Sequence, residues 1–372
     1  MSKILISVLS IGILYCSEYY VGTFGSDSHA GTFAQPFRTI QQAANNMVSG
    51  DICYIREGTY HEYVNVENQD GSNDAPITFT NYNNERVVLD GTVIIDSVWQ
   101  LHSGNIWKTT LDFDIWQLFV DRSEMVMARW PNANFHDESI WNKENNWGHG
   151  IIDEDPDAYE NGTLIDEPHG SINLAESGLN ITDAIAILNV GSYKTWTRRV
   201  LNHTGNTFTY DPVPEWKTKH HDYYIEGKLQ LLDNENEWFF DIETKELYFY
   251  PPNNSNPNNL EIRGKVQSYA FNIENSDYVQ IKSIEFFGTT FKFVNSDYGI
   301  VQDCNFFYPS CYKRMLGVVD TVPDISIFTS SSYCTVSRSA FRYTDGSAVE
   351  MYSGNNTIED CYFYHIDYTA TD

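Results

Sequence analysis

The sequence predicts an all-β fold, a right-handed parallel β-helix (solenoid) with an N-terminal capping helix and an inserted antiparallel β-rich domain. Three observations carry this prediction. They are a set of similar strand-forming segments near the C-terminus, an amphipathic segment before the first strands, and a long middle stretch that does not keep the repeat period.

The repeated segments lie between Phe271 and Asp367 and align in three columns. Periods of roughly 20 to 25 residues, built of short strands with polar corners, are typical of solenoids whose coils bury apolar side chains on one another. The leucine and asparagine spacing of a leucine-rich repeat is absent. β-Branched and aromatic residues dominate instead, which favours a parallel β-helix. The columns, with steps of 20, 35 and 22 residues, are Ile281, Val301, Val336 and Ile358; Ile284, Cys304, Ser339 and Cys361; and Phe286, Phe306, Phe341 and Phe363.

The step of 35 residues is longer than one coil. It predicts an insertion of about 13 residues, around Cys311 to Pro323, that projects from a corner of the coil. Such insertions tend to lie on the binding face of a solenoid.

The chain is expected to begin with a secretory signal peptide, residues 1–17. Lys3 supplies its positive charge, and Ile4 to Leu14 form its apolar segment. Cys16-Ser17 provide the small residues expected at the cleavage site. The apolar run is too short to span a bilayer comfortably. We therefore expect a secreted, extracellular protein without a membrane span.

A helical segment follows, with apolar residues at Phe37, Ile40, Ala43, Ala44 and Met47. Pro36 is expected in its first turn. A helix at this place would cap the solenoid, because an unprotected first coil exposes apolar core and open strand edges. Residues 18–99 are thus predicted to form the cap and the first coils.

Residues 100–262 do not keep the coil period and are predicted to form an inserted, sandwich-like β-rich region. Its clearest element is a hairpin of Glu237–Asp241 and Glu246–Tyr250. Coils resume over 263–372, where the chain stops without a visible second cap. We expect the sequence to be truncated there.

The stretch YYVGTFGSDSHAGTFAQPFRTIQQAANNMVSGDICYIREGTYHEYV, residues 19–64, resembles the opening of the pectin-lyase-like right-handed β-helix superfamily. The phrases FVD…ARWPN and EWFFD…ELYFYPP resemble the β-sandwich interruption of β-helix glycoside hydrolases of the β-xylosidase and fucosidase or xylanase type. The resemblance implies a carbohydrate-active protein without selecting one family.

Composition limits the function classes. The formal charge of −28, with 23 Lys and Arg, argues against non-specific nucleic-acid binding. It does not exclude an anionic substrate held by a few local cations. An aromatic content of 15% fits platforms for sugar rings and equally fits aromatic stacks inside the coils.

The cysteines do not indicate a metal site, because no CxxC or Cys/His pattern is present. Cys304 and Cys361 share an inward column, where buried thiols or a disulfide would both fit. Five Asn-X-Ser/Thr triplets, a motif that Asn-rich chains also generate by chance, would suit a secreted glycoprotein: Asn161, Asn180, Asn202, Asn253 and Asn355.

Two pairs of carboxylates near the C-terminus are separated by 22 residues, the local coil step: Asp345 with Asp367, and Glu350 with Asp372. Equivalent side chains on adjacent coils lie about 4.8 Å apart. That spacing approaches the separation of about 5 to 5.5 Å used by retaining glycosidases. These four residues are the predicted catalytic acids, nucleophile or base.

Glu350 is expected to point outward between the inward Val349 and Met351, beside Tyr352. A carboxylate next to an aromatic ring and a like charge suits a general acid. The predicted substrate-binding residues are His365, Tyr368, Tyr352, Arg342, Lys313, Arg314, Arg129 and Trp130.

Two alternatives stay open, because fold alone does not decide function. A polysaccharide lyase or epimerase would need a Lys or Arg base and Ca²⁺. Its base would be Lys313, Arg314, Arg338 or Arg342, and its metal ligands Asp303, Asp345 or Asp367. The other alternative is a non-catalytic glycan-binding surface protein. A hydrolase needs no cofactor or metal, and the sequence does not indicate an oligomeric state.

Overall fold

A computed structural model describes residues 16–152, 160–191, 194–213, 217–319 and 321–367. Within these ranges the chain is built almost wholly of β-strands, arranged as three parallel sheets and three sheets that are mostly antiparallel. The parallel sheets form the predicted β-helix. The expected signal segment up to residue 15, Tyr368 and Asp372 lie outside the described residues.

Each complete coil contributes one strand to each of three parallel sheets. The strands of the first coil sheet are Glu18–Val21, Ile52–Ile55, Ile77–Asn81, Val279–Lys282, Ile300–Gln302, Thr335–Ser337 and Thr357–Glu359. The second coil sheet contains Gly58–Tyr60, Val87–Asp90, Glu285–Phe287, Asn305–Phe307, Ala340–Arg342 and Tyr362–Tyr364. The third contains Val64–Glu67, Tyr269–Glu274, Thr290–Val294, Ser326–Thr329 and Val349–Met351.

The predicted columns are confirmed by the strand registers. Val301 pairs with Ile281 and Val336, and Phe306 pairs with Phe286 and Phe341. The rings of Phe306 stack on both neighbours with centroids 4.5 Å apart. Each coil therefore covers the aromatic residue of the preceding one, which keeps water out of the core.

Left-handed residues turn the corners of the coils. Tyr278, Tyr298 and Tyr333 have φ of 56°, 59° and 59°, a region that costs a non-glycine residue of order 1 kcal/mol or more. Their rings stack with centroids 4.4 and 5.0 Å apart, which offsets part of that cost. At a neighbouring corner, Ser296 Oγ accepts a 3.0 Å hydrogen bond from the Ser276 amide of the preceding coil.

The long middle stretch interrupts the solenoid without shifting its register. Ile77–Asn81 pairs directly with Val279–Lys282, and Val87–Asp90 pairs with Glu285–Phe287. Residues 91–268 therefore leave the coil at one corner and return to it. The loop around Cys311 to Pro323 also projects from a corner, between Asn305–Phe307 and Ser326–Thr329, as predicted.

The inserted strands form three antiparallel-rich sheets. The first inserted sheet consists of Thr92–Ile94, Ile262–Lys265, Leu118–Val120 and Ser123–Glu124. The second inserted sheet consists of Gln100–Ser103, Ile106–Thr110, Glu246–Phe249, Glu237–Asp241 and Val126–Met127. The third consists of Arg129–Trp130, Lys217–Glu226, Gly148–Ile152, Gly162–Asp166, Thr207–Tyr210, Lys194–Thr204 and Ile185–Gly191. Because Ile185–Gly191 also pairs with Lys217–Glu226, six strands of this third sheet close into a ring, called here the inserted ring.

Helices are short. The α-helices are Ile40–Ala44 and Lys143–Asn146; the 3₁₀ helices are Ser139–Trp141, Leu174–Glu176, Leu229–Leu231, Pro252–Asn254, Pro257–Asn259 and Arg314–Leu316. In the described ranges, none of the helices has the length and apolar character that a bilayer crossing requires.

The N-terminal helix is shorter than its apolar pattern predicts. Thr39 is its N-cap and accepts a hydrogen bond from the Gln42 amide, so the placement of Pro36 in the first turn is wrong. Ile40, Ala43 and Ala44 are buried in the solenoid core. Its role as a cap stays a prediction.

The cysteines carry free thiols in the described structure. Cys304 is buried, and its amide donates to Ser339 Oγ at 3.1 Å. Cys361 is half-buried. Both residues therefore carry free thiols, which excludes the disulfide alternative for this column, but only Cys304 is fully buried.

Candidate active site

The candidate site lies at the corner that follows the second coil sheet, where the inserted region packs against three successive coils. Tyr308, Tyr343 and His365 occupy equivalent left-handed positions, with φ of 51°, 60° and 51°. The ring of Tyr343 stacks on Tyr308 at 4.9 Å and on His365 at 5.7 Å. Trp141, from the inserted region, stacks on His365 at 4.8 Å. These four rings form an aromatic wall.

Phe119 fixes the inserted region to this corner. Its ring lies 5.0 Å from both Phe287 and Tyr308, and all three side chains are buried. The contact covers part of the outer face of the second coil sheet. The corner beyond it consequently lies between the coils and the inserted ring.

Asp345 is held rigidly at this corner and is 1% exposed. Its Oδ2 accepts a 2.8 Å hydrogen bond from the Tyr312 amide and lies 3.9 Å from Nη1 of Arg314. Ser310 Oγ donates to the Asp345 carbonyl and accepts from the Asp345 amide. The expectation that Asp345 stands openly on the outer wall is therefore wrong, because the loop of residues 308–316 covers it.

Asp367 lies one coil further on, in the register predicted from its offset. The amides of Tyr343 and Thr344 donate to the carbonyls of Tyr364 and His365 at 3.1 and 3.2 Å. The Asp367 amide in turn lies 3.4 Å from Thr344 Oγ1. Asp367 is half-buried, so the structure places one covered and one accessible carboxylate on neighbouring coils.

The other predicted pair is only half described, since Asp372 lies outside the described residues. Val349 and Met351 pack against the solenoid core, as expected for inward side chains. Glu350 is half-buried and accepts a hydrogen bond from the Tyr352 hydroxyl, which raises the pKa of Tyr352. This pairing stays a prediction, as does Tyr368, which is also outside the described residues.

Arg129, Trp130 and Arg314 do not reach over an open groove, so their expected role as exposed substrate ligands is corrected. Arg129 is 1% exposed and Arg314 is 2% exposed. Trp130 is half-buried and packs near Tyr223, at a centroid distance of 6.1 Å. Sequence reasoning missed this burial because arginine side chains are mostly exposed.

The remaining predicted cations are engaged with neighbours. Lys313 Nζ lies 2.8 Å from Asp324 Oδ2 and 4.8 Å from the Trp116 ring. Arg342 Nη1 donates to Asn305 Oδ1 at 3.3 Å.

Arg338 makes two hydrogen bonds of 2.8 Å to Asp303, so both are partners in a surface ion pair. Among the described residues, no group of three or more His, Cys, Asp or Glu side chains could hold a metal ion.

Glu124 and Lys265 were missed by the sequence reasoning. Both are buried and come from the inserted strands beside Asp345. Burial, and then the charge of Asp345, raises the pKa of Glu124 to about 8; burial lowers the pKa of Lys265 to about 8. No motif marks either residue, because the strands that carry them join the site only through the tertiary fold.

Glu226 supplies the counter-ion of Arg314. Arg314 Nε donates to Glu226 Oε2 at 2.8 Å. Burial alone would lower the pKa of the Arg314 guanidinium, but Glu226, Tyr224 and Asp345 raise it well above its ordinary value. The site therefore combines a fixed cation, a carboxylate beside it, and a carboxyl group that keeps its proton near neutral pH, which is the arrangement that separates acid from base roles.

The fold is a right-handed parallel β-helix with an inserted β-rich region. Residues 19–194 match the family described as Pel9A-like, right handed beta helix region. A solved structure titled "Glycoside hydrolase" superposes with a TM-score of 0.73 at 15% identity, over 95% of this chain and 74% of that chain. A second, "The complex structure of XylC with xylose", gives a TM-score of 0.51 at 16% identity, over 92% and 53%.

Two curated relatives match short parts of the chain. The uncharacterized protein YwoF of Bacillus subtilis (strain 168) is 42% identical over 81 residues, 22% of this chain and 17% of that protein. Pectate lyase PEL9 of Emericella nidulans is 36% identical over 76 residues, 20% of this chain and 18% of that protein. The chain thus spans less than a fifth of either relative.

Proposed function

We propose that this protein is a secreted carbohydrate-active enzyme, a glycoside hydrolase that cleaves a plant or algal polysaccharide with Asp345 and Asp367. The single observation that supports the proposal is the backbone register, which sets Asp345 and Asp367 at equivalent positions of adjacent coils. Strand spacing in parallel sheets is about 4.8 Å. This spacing suits a retaining mechanism, in which one carboxylate attacks the sugar and the other acts as acid and then base.

The different surroundings of Asp345 and Asp367 suit them to different catalytic roles. Asp345 is fixed by the Tyr312 amide and lies beside the Arg314 cation, so it is assigned the nucleophile; because it is 1% exposed, this role requires the loop of residues 308–316 to move aside when the sugar binds. Asp367 is half-buried and can reach the leaving-group oxygen and then water, so it is assigned the acid and base. The aromatic wall would border the sugar with ring edges, because the faces of Tyr343 and His365 are already stacked on their neighbours. The names of the structural neighbours, a glycoside hydrolase and XylC with xylose, support this choice of reaction class.

The test is a panel of plant and algal polysaccharides incubated with the exported, full-length protein. We expect new reducing ends without ultraviolet-absorbing unsaturated products. Asp345→Asn should abolish the activity, and azide should restore bond cleavage by replacing the missing nucleophile. Full activity in both Asp345→Asn and Asp367→Asn would overturn the assignment, and recovery of the protein only from the cell interior would overturn export.

A polysaccharide lyase or epimerase is the second candidate, favoured by the Pel9A-like match over residues 19–194. Lys265, whose pKa burial lowers to about 8, is a lysine base candidate on the inserted strand Ile262–Lys265. Unsaturated products that require added Ca²⁺ would decide for elimination. Binding of a polysaccharide without any product would instead indicate a glycan-binding surface protein.

A further inference from the structure

A small cavity lies beside Arg314, between the inserted ring and the strand Ser123–Glu124. Its volume is about 20 Å³, and its polar lining comes from Glu124, Arg129, Tyr224, Glu226 and Arg314. About 10 to 15 Å³ of such volume is enough for one water molecule. The cavity can therefore hold one water molecule or one ion of similar size, and it is too small for a sugar.

Three buried atoms on residues that line this cavity have no hydrogen-bond partner within the described part of the chain: Oε2 of Glu124, Nη1 of Arg129 and Nη1 of Arg314. Their residues are 6%, 1% and 2% exposed. Buried polar atoms are rarely left without a partner, and a cluster of them around one cavity indicates a missing ligand. Two of the three atoms are guanidinium nitrogens, which can only donate hydrogen bonds.

Arg129 is buried and has no ion-pair partner in the part of the chain that the structure describes. Its Nε and Nη2 donate to the carbonyls of Pro131 and Asn146 at 3.0 and 3.1 Å, and its guanidinium lies 3.7 Å from the centre of the Tyr224 ring. In the described ranges no carboxylate lies within ion-pair distance of it. Burial lowers the pKa of Arg129, and Tyr224, Glu226 and Glu237 offset this effect only in part.

Arg314 uses only part of its hydrogen-bonding capacity. Nε is bonded to Glu226, and Nη1 lies 3.9 Å from Asp345 Oδ2, which is too long for a hydrogen bond. The Nη1 groups of both arginines therefore need an acceptor. A water molecule that accepted from both would have two protons to place, and the acceptors on the wall are Glu124 Oε2 and the Glu226 carboxylate. A monatomic anion has no proton to place.

We propose that the cavity is a binding site for one small monatomic anion of the chloride class, held by Nη1 of Arg129 and Nη1 of Arg314. The protonated Glu124 carboxyl supplies the third hydrogen bond. The anion balances the charge of Arg129 and sets the electrostatic potential at Asp345 through Arg314. The inference does not depend on the reaction that the enzyme catalyses.

Bromide is the direct probe of the site. Crystals of the wild-type protein are grown in sodium bromide, and anomalous diffraction is measured at the bromine edge. We expect a peak between the two guanidinium groups. Electron density for water without an anomalous signal would overturn the proposal.

Stability in solution provides the second measurement. The unfolding midpoint is measured in sodium chloride and in sodium acetate at equal ionic strength, because acetate is too large for the cavity. A ligand that binds only the folded state raises the midpoint with its concentration. We expect a chloride-specific rise in the wild type and its loss in Arg129→Gln.

Arg338→Gln is the matched control, because Arg338 is exposed and paired with Asp303. It should keep the full chloride response. Equal midpoints in chloride and acetate for the wild type, or an equal loss of response in both variants, would contradict the site. Should Arg129→Gln fail to fold, the wild-type bromide measurement still decides.

Discussion

Nε of Arg314 donates a 2.8 Å hydrogen bond to Oε2 of Glu226, and both side chains are buried, at 1% and 6% exposure. Arg314 belongs to the loop that projects from a coil, and Glu226 to the inserted ring. The pair therefore joins two parts of the chain that the sequence places far apart. The hydrogen bond to Glu226 also holds the Arg314 guanidinium beside Asp345.

Removal of one partner leaves a buried charge unpaired. We expect Arg314→Met to lower the free energy of unfolding by about 3–5 kcal/mol. The double variant Arg314→Met with Glu226→Leu should recover part of that loss, because well-packed apolar side chains often replace a buried ion pair at little cost. Urea denaturation measures both. Equal destabilisation in the single and double variants would show that the ion pair itself is not the cause.

Loss of a catalytic carboxylate should affect turnover and spare stability. We expect Asp367→Asn to lower kcat on a cleaved polysaccharide by about 10²- to 10⁴-fold, the usual contribution of a general acid and base. Glu359→Gln, an exposed change on the same coil, is the matched control and should leave kcat within a few-fold. Glu350→Gln separates the two predicted pairs. A larger loss in Glu350→Gln than in Asp367→Asn would move the site to the third coil sheet.

Glu124 should make stability depend on pH. Its pKa rises from an ordinary value of 4.5 to about 8 in the folded protein, chiefly through burial. Between these two values the folded chain retains a proton that the unfolded chain has released, so stability falls as pH rises. The slope approaches about 1.4 kcal/mol per pH unit for one proton.

Glu124→Gln removes this titration while keeping the size and polarity of the side chain. The difference between wild type and variant should therefore change across the range from pH 4.5 to about 8 and be flat below it. Chemical denaturation at a series of pH values measures the difference. Parallel stability curves across this range would contradict a buried, proton-retaining carboxyl group.

The phenylalanine column should carry much of the solenoid's stability. Phe306 is fully buried between Phe286 and Phe341. We expect Phe306→Ala to cost about 3–5 kcal/mol through lost burial and the cavity that remains. Tyr362→Ala, at a position 52% exposed on the same sheet, should cost far less. Thermal and urea unfolding compare the two, and similar losses would argue against a continuous core.

The coils could be predicted because one physical rule recurs in them. Inward side chains alternate along each strand and repeat at the coil step, which fixed the neighbours of Val301 and Phe306. The same rule placed Asp367 one coil after Asp345. It could not show that Asp345 is covered, because the covering loop follows no repeat.

The cluster around Asp345 could not be predicted for a different reason. Glu124 and Glu226 are separated from Asp345 by more than a hundred residues and reach it through strand pairings of the inserted sheets. Arg129 and Arg314 offered no pattern that separates a buried guanidinium from the exposed ones that are far more common. Their positions depend on how the inserted ring packs against the corner of the coils.

The two chain connections of the inserted region run side by side, since Thr92–Ile94 and Ile262–Lys265 pair as antiparallel neighbours. The two ends of residues 91–268 therefore meet at the coil corner, and the inserted region closes on itself there. Once it has formed, the coils on either side of it are no longer separated by a long flexible tether, and the search for their partner strands becomes local. In evolution the same feature allows one module to be exchanged for another while the stack of coils keeps its alignment.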